Sequence, residues 1–327
     1  MTRRLAFDDV PDDAALQQMV QTTIGNALAR NSRDSLDGNY ERYTRFATTL
    51  NKDRDDLETI LAFLKYMAHT KNRTYSTIKC YLAAIRDHLR RSGQDDYVHN
   101  YRMVSFLAGL SREKGGLSFP NRKRPFTISQ LDQMIAQCNT NVLHGERTKA
   151  MLCLAWGMLA RVSELVELKR QDVKIYMDGP EPYLTVFVSH SKTDVHSRGT
   201  LMTLYQNTTP HDPVSPMASW IVKIPTDECP LFPTTSGNRF RVPFTATSKD
   251  TFRVTVKNLA EAIRLNPKDY GTHSIRHGAA HDAALRKVPP LAIKVQGRWV
   301  TMSMVAHYTD LTQDEAARQF QESINQS

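Results

Sequence analysis

The chain has 327 residues with a hydrophobic fraction of 40%, enough for two domains and a real core in a globular protein. Lys and Arg number 43 against 34 Asp and Glu, a net charge of +9 that suits a polyanion, whether nucleic acid or an anionic membrane surface. The longest apolar run, Ala150 to Ala160, is too short to cross a bilayer, and no secretory signal follows Met1. Cys80, Cys138, Cys153 and Cys229 form no Cys-x-x-Cys pair, so neither a disulfide framework nor a zinc site is suggested and a reducing interior is implied.

Residues 1–34 are acidic, then polar, and read as an N-terminal arm with a short helix from Asp13 to Ala29. From 35 to 110 the pattern is helical throughout. Tyr40, Tyr43, Phe46 and Leu50 recur at steps of three and four, as do Ile60, Phe63, Leu64 and Met67, then Ile78, Tyr81, Leu82, Ile85 and Leu89. Thr74 to Ser76 offer hydroxyl caps to the third of these helices. Its other face carries Lys79, Arg86, Arg90 and Arg91, a cluster that favours contact with a DNA backbone over a merely solvated face. Residues 111–126 read as a basic linker, with Gly115-Gly116, Pro120 and Pro125 as breakers and Arg122, Lys123 and Arg124 as charge. Such a connection would let two domains close around a duplex, though an ordinary solvated linker has the same composition.

A second domain, 127–327, begins with Thr127 and Ser129 as caps for a helix through Leu131, Met134 and Ile135. An apolar helix from Arg147 to Leu159 runs into Arg161, where a cation beside a buried helix is costly unless neutralised; Glu164 could hold its guanidinium. Val173–Ile175 and Tyr183–Ser189 read as a hairpin opening a small sheet, and Pro225–Pro243 as a surface loop. His190, His196 and His211 lie close in sequence but show no metal-ligand spacing. In the helix from Lys249 to Leu265, Lys249, Arg253 and Lys257 share one face at four-residue steps. Residues 312–324 form an amphipathic helix whose apolar face needs a partner, in its own domain or on a neighbour.

Most chemistry gathers near the end. His273 and Arg276 are three residues apart and would share a helix face, able to grip one anion. Trp299 follows Gly297-Arg298 and carries one N–H donor, and Tyr308, nine residues on, carries a phenolic oxygen that can act as a nucleophile. Together they suggest a phosphodiester held by donors and attacked by a tyrosine. His-x-x-Arg, a Gly-flanked Trp and then a Tyr, in this order, resemble the catalytic half of the tyrosine recombinases. Trp stands at their His/Trp position, as in Cre-like enzymes. Residues 35–110 resemble, more weakly, the helical core-binding domain that precedes it.

The resemblance implies a mainly α fold with a small antiparallel sheet, in a core-binding domain and a catalytic domain. It implies that Arg161 is the first catalytic arginine, supported by Glu164, and that Lys192 in His190-Ser191-Lys192-Thr193 is the catalytic lysine on a hairpin turn. It places Lys249, Arg253 and Lys257 against a major groove. The implied partner is a double-stranded recombination site, bound by a homotetramer spanning two sites from a chain that is monomeric or weakly associated without DNA. No cofactor, metal or membrane is implied, and the setting is intracellular, nucleoid or nucleus. A type IB topoisomerase or telomere resolvase shares the site, and a non-catalytic DNA-binding protein on the same fold is a further alternative.

Overall fold

The computed structural model describes residues 12–25, 30–115, 123–189 and 199–309, with the single positions 315, 317 and 321. The chain divides into two compact units, Met1–Asn121 and Arg122–Ser327. Taken as a whole the chain follows the expected class, mainly α with small antiparallel sheets: the described elements of the first unit are all helices, and the strands lie in the second. Among the described residues no helix is long and apolar enough to cross a membrane.

The first unit contains α1 (Asp13–Gly25), α2 (Arg30–Thr49), α3 (Leu57–His69), α4 (Tyr75–Arg91) and α5 (Tyr101–Gly115). The anticipated arm is thus partly helix, and residues 30–34 open α2 instead of belonging to the arm. Asp56 caps α3 by accepting from the Thr59 backbone N–H at 3.0 Å, and Thr74 caps α4 through Thr77. The apolar stripes close on a fully buried Phe63, whose ring lies 5.2 Å from Tyr43, 5.3 Å from Phe46 and 5.5 Å from Tyr81.

The linker expected over 111–126 needs correction at both ends. Residues 111–115 continue α5, because Arg112, Glu113 and Lys114 are good helix formers and Glu113 ties back to Lys65 and His69 on α3. At the other end Phe126 is buried, stacked on Tyr270 at 4.6 Å, with its N–H donating to the Ser274 carbonyl. Arg122 and residues 116–121 lie outside the described residues.

The second unit is built around α7 (Leu143–Gly157), which is buried on every side from Ala150 to Trp156. Before it comes α6 (Ile128–Ala136), started by a reciprocal cap between Thr127 and Gln130. After it come α8 (Val162–Glu167) and the sheet of β1 (Val173–Tyr176), β2 (Tyr183–Val188) and β3 (Thr200–Tyr205), in that order and antiparallel. Leu184, Val186 and Val188 face the core while Phe187 looks outward, the period-two alternation of a half-buried sheet.

Next are α9 (Val214–Ile221), β4 (Thr235–Ser236) and β5 (Arg239–Phe240), then α10 (Lys249–Ala262), α11 (Thr272–Leu285), α12 (Pro290–Gly297) and α13 (Met302–Tyr308). The stretch 225–243 is more than a surface loop. Leu231 and Phe232 are buried, held by a hydrogen bond of 2.8 Å from the Trp220 indole to the Leu231 carbonyl, and β4 and β5 pair as a short hairpin. The amphipathic helix expected over 312–324 lies almost wholly outside the described residues, as does the segment 190–198 between β2 and β3.

Candidate active site

The site forms where two helix ends meet. Helix α7 stops at Gly157, and Leu159 then takes a left-handed conformation, φ 48°, at a cost of about 1 kcal/mol for a side chain of this kind. The last carbonyls of such a helix have no partner within it. Here those of Ala155 and Trp156 accept from the Ala160 and Leu159 backbone N–H groups, and the carbonyls that follow are taken by side chains from α11 and the end of α12. The Gln296 amide donates to the Gly157 carbonyl at 2.8 Å, Arg298 Nη1 to that of Met158 at 3.0 Å, and Arg276 Nη1 to that of Leu159. Arg276 Nη2 donates to the Gly297 carbonyl at 2.5 Å.

Arg276 is therefore fully buried, and its Nε has no hydrogen-bond partner among the described residues. Burial first, and the nearby Arg161 charge second, push its pKa down from the usual guanidinium value. Its flat face is covered by aromatic rings. The guanidinium carbon lies 4.5 Å from the centre of the Trp299 ring and 5.8 Å from that of Tyr308, both cation–π arrangements. Trp299 and Tyr308 stack on each other at 5.0 Å.

His273, at the exposed start of α11, completes the group. Its Nε2 lies 2.8 Å from the Tyr308 hydroxyl, within range of direct proton transfer. His277, one turn along, presents its ring edge-to-face to Tyr308 at 5.8 Å. Trp299 is 4% exposed, and its indole N–H is buried with no partner among the described residues.

Arg161 caps α8. Glu164, at the third helical position, reaches back to the Arg161 backbone N–H at 3.0 Å and accepts from Arg161 Nη1 at 2.6 Å. The carboxyl is also bound by Arg298 Nη2 at 2.6 Å. Burial alone would raise its pKa, but the Arg298 charge and the hydrogen bonds from Arg161 outweigh that and hold it below the usual carboxylate range.

Two glycines allow the close packing. A Cβ on Gly297 would sit 2.0 Å from Trp299 Cζ3, and one on Gly278 would sit 2.1 Å from the Phe126 carbonyl oxygen. Side chains at either place would push the indole or α11 out of position.

Arg161, Glu164, His273, Arg276, Trp299 and Tyr308 are thus brought together from α8, α11 and the α12–α13 region. Lys192 and Arg122 lie outside the described residues. The proposed DNA contacts sit elsewhere. On the exposed side of α4, Lys79, Arg86 and Arg90 line a hollow of about 330 Å³ with Tyr75, Leu82, Ala83 and Leu107, and Arg86 and Arg90 both bind Asp96. On α10, Lys249 pairs with Glu167 at 3.3 Å and Arg253 with Asp250 at 2.9 Å, while Lys257 is half-buried. Lys123 donates to the Lys268 carbonyl, and Arg124 is tied to Asp269 through its backbone N–H at 2.9 Å.

Sequence reasoning missed Arg298 and His277. The one available signal was position, a cation wedged between Gly297 and Trp299 and a histidine directly after Arg276. Among the described residues no group of three His, Cys, Asp or Glu side chains is placed to hold a metal ion.

Comparison with known proteins gives the family. The family model described as the Phage integrase family matches residues 125–315, more than half of the chain. An integrase/recombinase xerD homolog from Selenomonas ruminantium is 25% identical over 226 residues, which is 67% of this chain and 62% of that relative. The chain thus spans less than two thirds of that relative's length. Among solved structures, the Tn1549 transposon integrase in complex with circular intermediate DNA is similar with a TM-score of 0.61 and 15% identity, over 92% of this chain and 97% of that one. The XerH site-specific recombinase bound to palindromic difH substrate gives a TM-score of 0.59 and 12% identity, over 86% and 76% of the two chains. These structural likenesses speak for the fold, and with the family match over the second unit they lead to one conclusion: the chain belongs to the phage integrase family of tyrosine recombinases.

Proposed function

We propose that this chain is a site-specific DNA recombinase that cuts and rejoins strands through a 3′-phosphotyrosine intermediate formed on Tyr308. The observation that carries this reading is the 2.8 Å approach of His273 Nε2 to the Tyr308 hydroxyl, beside the buried Arg276. An ordinary phenol has a pKa of about 10 and needs both a base and nearby positive charge to attack at neutral pH. His273 supplies the base, taking the proton as the phenolic oxygen bonds to phosphorus. Arg161 and Arg276 stabilise the charge that builds on the nonbridging oxygens, and the Trp299 indole adds a hydrogen bond. Lys192 protonates the departing 5′ oxygen. The 3′ phosphate is left on Tyr308, its ester bond conserved for ligation to a second strand.

The Arg276 guanidinium lies 4.5 Å from the Trp299 ring and 5.8 Å from that of Tyr308, so on this reading the Tyr308 ring moves as a phosphate arrives. That movement frees the hydroxyl for in-line attack and opens space beside the Trp299 N–H, which has no hydrogen-bond partner among the described residues. The second unit is thus the catalytic one. The first holds the duplex through Lys79, Arg86 and Arg90, and Lys249, Arg253 and Lys257 of α10 face a major groove. Recombination requires a homotetramer on two DNA sites.

The test uses duplex sites selected from random DNA by the full chain. With a nicked suicide duplex, the natural chain forms an adduct that survives denaturing electrophoresis. Tyr308→Phe binds the duplex and forms none; an adduct persisting in that variant overturns the assignment. Exchange between two sites, against relaxation of a supercoiled plasmid by a lone monomer, separates recombination from topoisomerase action.

A further inference from the structure

Arg298 has no part in the mechanism above, yet its placement is demanding. It follows the end of α12 with φ 55° and ψ 43°, the left-handed region that glycine fills without strain. Its side chain turns inward, 5% exposed, to donate to the Met158 and Gln296 carbonyls at 3.0 Å each and to Glu164 Oε2 at 2.6 Å. The other oxygen of Glu164 holds Arg161 Nη1 at 2.6 Å. One carboxylate therefore bridges two guanidiniums.

Charge counting shows what this achieves. Glu164 fixes Arg161, but alone with it would cancel the positive charge it positions. A phosphodiester carries one negative charge and gains a second as a phenolate adds to it. Apart from Lys192 and a protonated His273, Arg161, Arg276 and Arg298 against Glu164 contribute two net positive charges; without Arg298 they contribute one.

We infer that Arg298 is a positioning residue, which neutralises Glu164 so that the carboxylate orients the Arg161 guanidinium without cancelling its charge. This rests on the reading of Arg161 as a phosphate-binding group. The same geometry could serve merely to brace α12 against the end of α7, and the two roles differ in what a second substitution does.

The experiment measures single-turnover adduct formation on the suicide duplex with the full chain, alongside duplex affinity and thermal unfolding. Arg298→Gly relieves the backbone conformation while removing the cation. It is expected to slow adduct formation by on the order of 10- to 100-fold with affinity changed less than about threefold. Arg298→Lys keeps the charge and recovers most of the rate. Adding Glu164→Gln to Arg298→Gly removes the carboxylate that would otherwise neutralise Arg161, and restores at least part of the lost rate. A natural rate in Arg298→Gly overturns the inference, as does a lysine variant as slow as glycine, or a double variant no faster than Arg298→Gly. Each of those leaves Tyr308 chemistry standing, whereas absence of any Tyr308-dependent adduct in the natural chain defeats both readings.

Discussion

Glu164→Gln tests how this cluster is held together. The carboxyl is 3% exposed and accepts from Arg161 N, Arg161 Nη1 and Arg298 Nη2 at 3.0, 2.6 and 2.6 Å. Each ion pair is worth about 4 kcal/mol at an effective dielectric of about 20, offset by several kcal/mol of desolvation per ion. Removing the shared anion leaves the two guanidiniums in different states. Arg161 is 16% exposed and recovers some hydration, whereas Arg298, at 5%, loses its carboxylate partner in a site closed to water. Glutamine also turns one N–H₂ donor toward a donor. Breaking a buried pair in this way costs about 3–5 kcal/mol, and the residual exposure of Arg161 argues for the lower figure. With a urea dependence of about 2 kcal/mol per molar for a unit of this size, the unfolding midpoint falls by roughly 1.5 M. The loss depends on pH. Glu164 is held below its ordinary value of 4.5, so its contribution is complete above that pH and is lost as pH falls through the lowered folded-state value. The gap between natural chain and variant should therefore be widest near neutrality and close in acid. A midpoint shift under about 0.5 M at neutral pH, or a gap that widens on acidification, would refute the reasoning.

Gly297→Ala places a methyl 2.0 Å from Trp299 Cζ3, which must move the indole off Tyr308 or shift the end of α12; overpacking of this kind costs about 1–3 kcal/mol. Tryptophan fluorescence and adduct formation should change together, and an unaltered spectrum with natural activity would show that the contact is soft. Burial pushes the Cys153 thiol up to about 12, whereas Cys80 is exposed. A thiol reagent at about pH 8 should label Cys80 at once and Cys153 only on unfolding, and prompt labelling of Cys153 in the folded chain would contradict its place under α9 and the Pro210 turn.

The parts legible in the sequence were those governed by local chemistry. Steps of three and four among Ile78, Tyr81, Leu82, Ile85 and Leu89 define α4, and Thr74 and Thr127 cap the helices that follow them. The order His273, Arg276, Trp299, Tyr308 led to the family, because the chemistry needs those groups and a chain must carry them in some order. Less legible was whatever depends on contacts distant in sequence. Phe126 looked like linker because its neighbours are Pro and Lys, but it is held by Tyr270 and Ser274, which nothing local reveals. Leu231 and Phe232 were hidden in a Pro- and Thr-rich stretch and are buried through Trp220. Arg298 stood out only as the residue between Gly297 and Trp299. Its burial depends on Glu164, 134 residues away.

The site also shows why cations can be gathered here with so little negative charge among them. The carboxyl end of a helix carries a partial negative charge and carbonyls that lack partners. Helix α7 ends buried, at Gly157, and its last carbonyls would be costly to leave unmet. Gln296 meets that of Gly157, Arg298 and Arg276 meet the carbonyls of the next two residues, Met158 and Leu159, and the left-handed turn at Leu159 aims its carbonyl at Arg276. A guanidinium fixed by carboxylates loses its charge to them, while one fixed by carbonyl dipoles keeps it. Arg276 is held by the carbonyls of Leu159 and Gly297, and so retains a full positive charge for an arriving phosphate. Arg161 is gripped instead by a carboxylate, that of Glu164, which is why the second guanidinium on Glu164 is consequential.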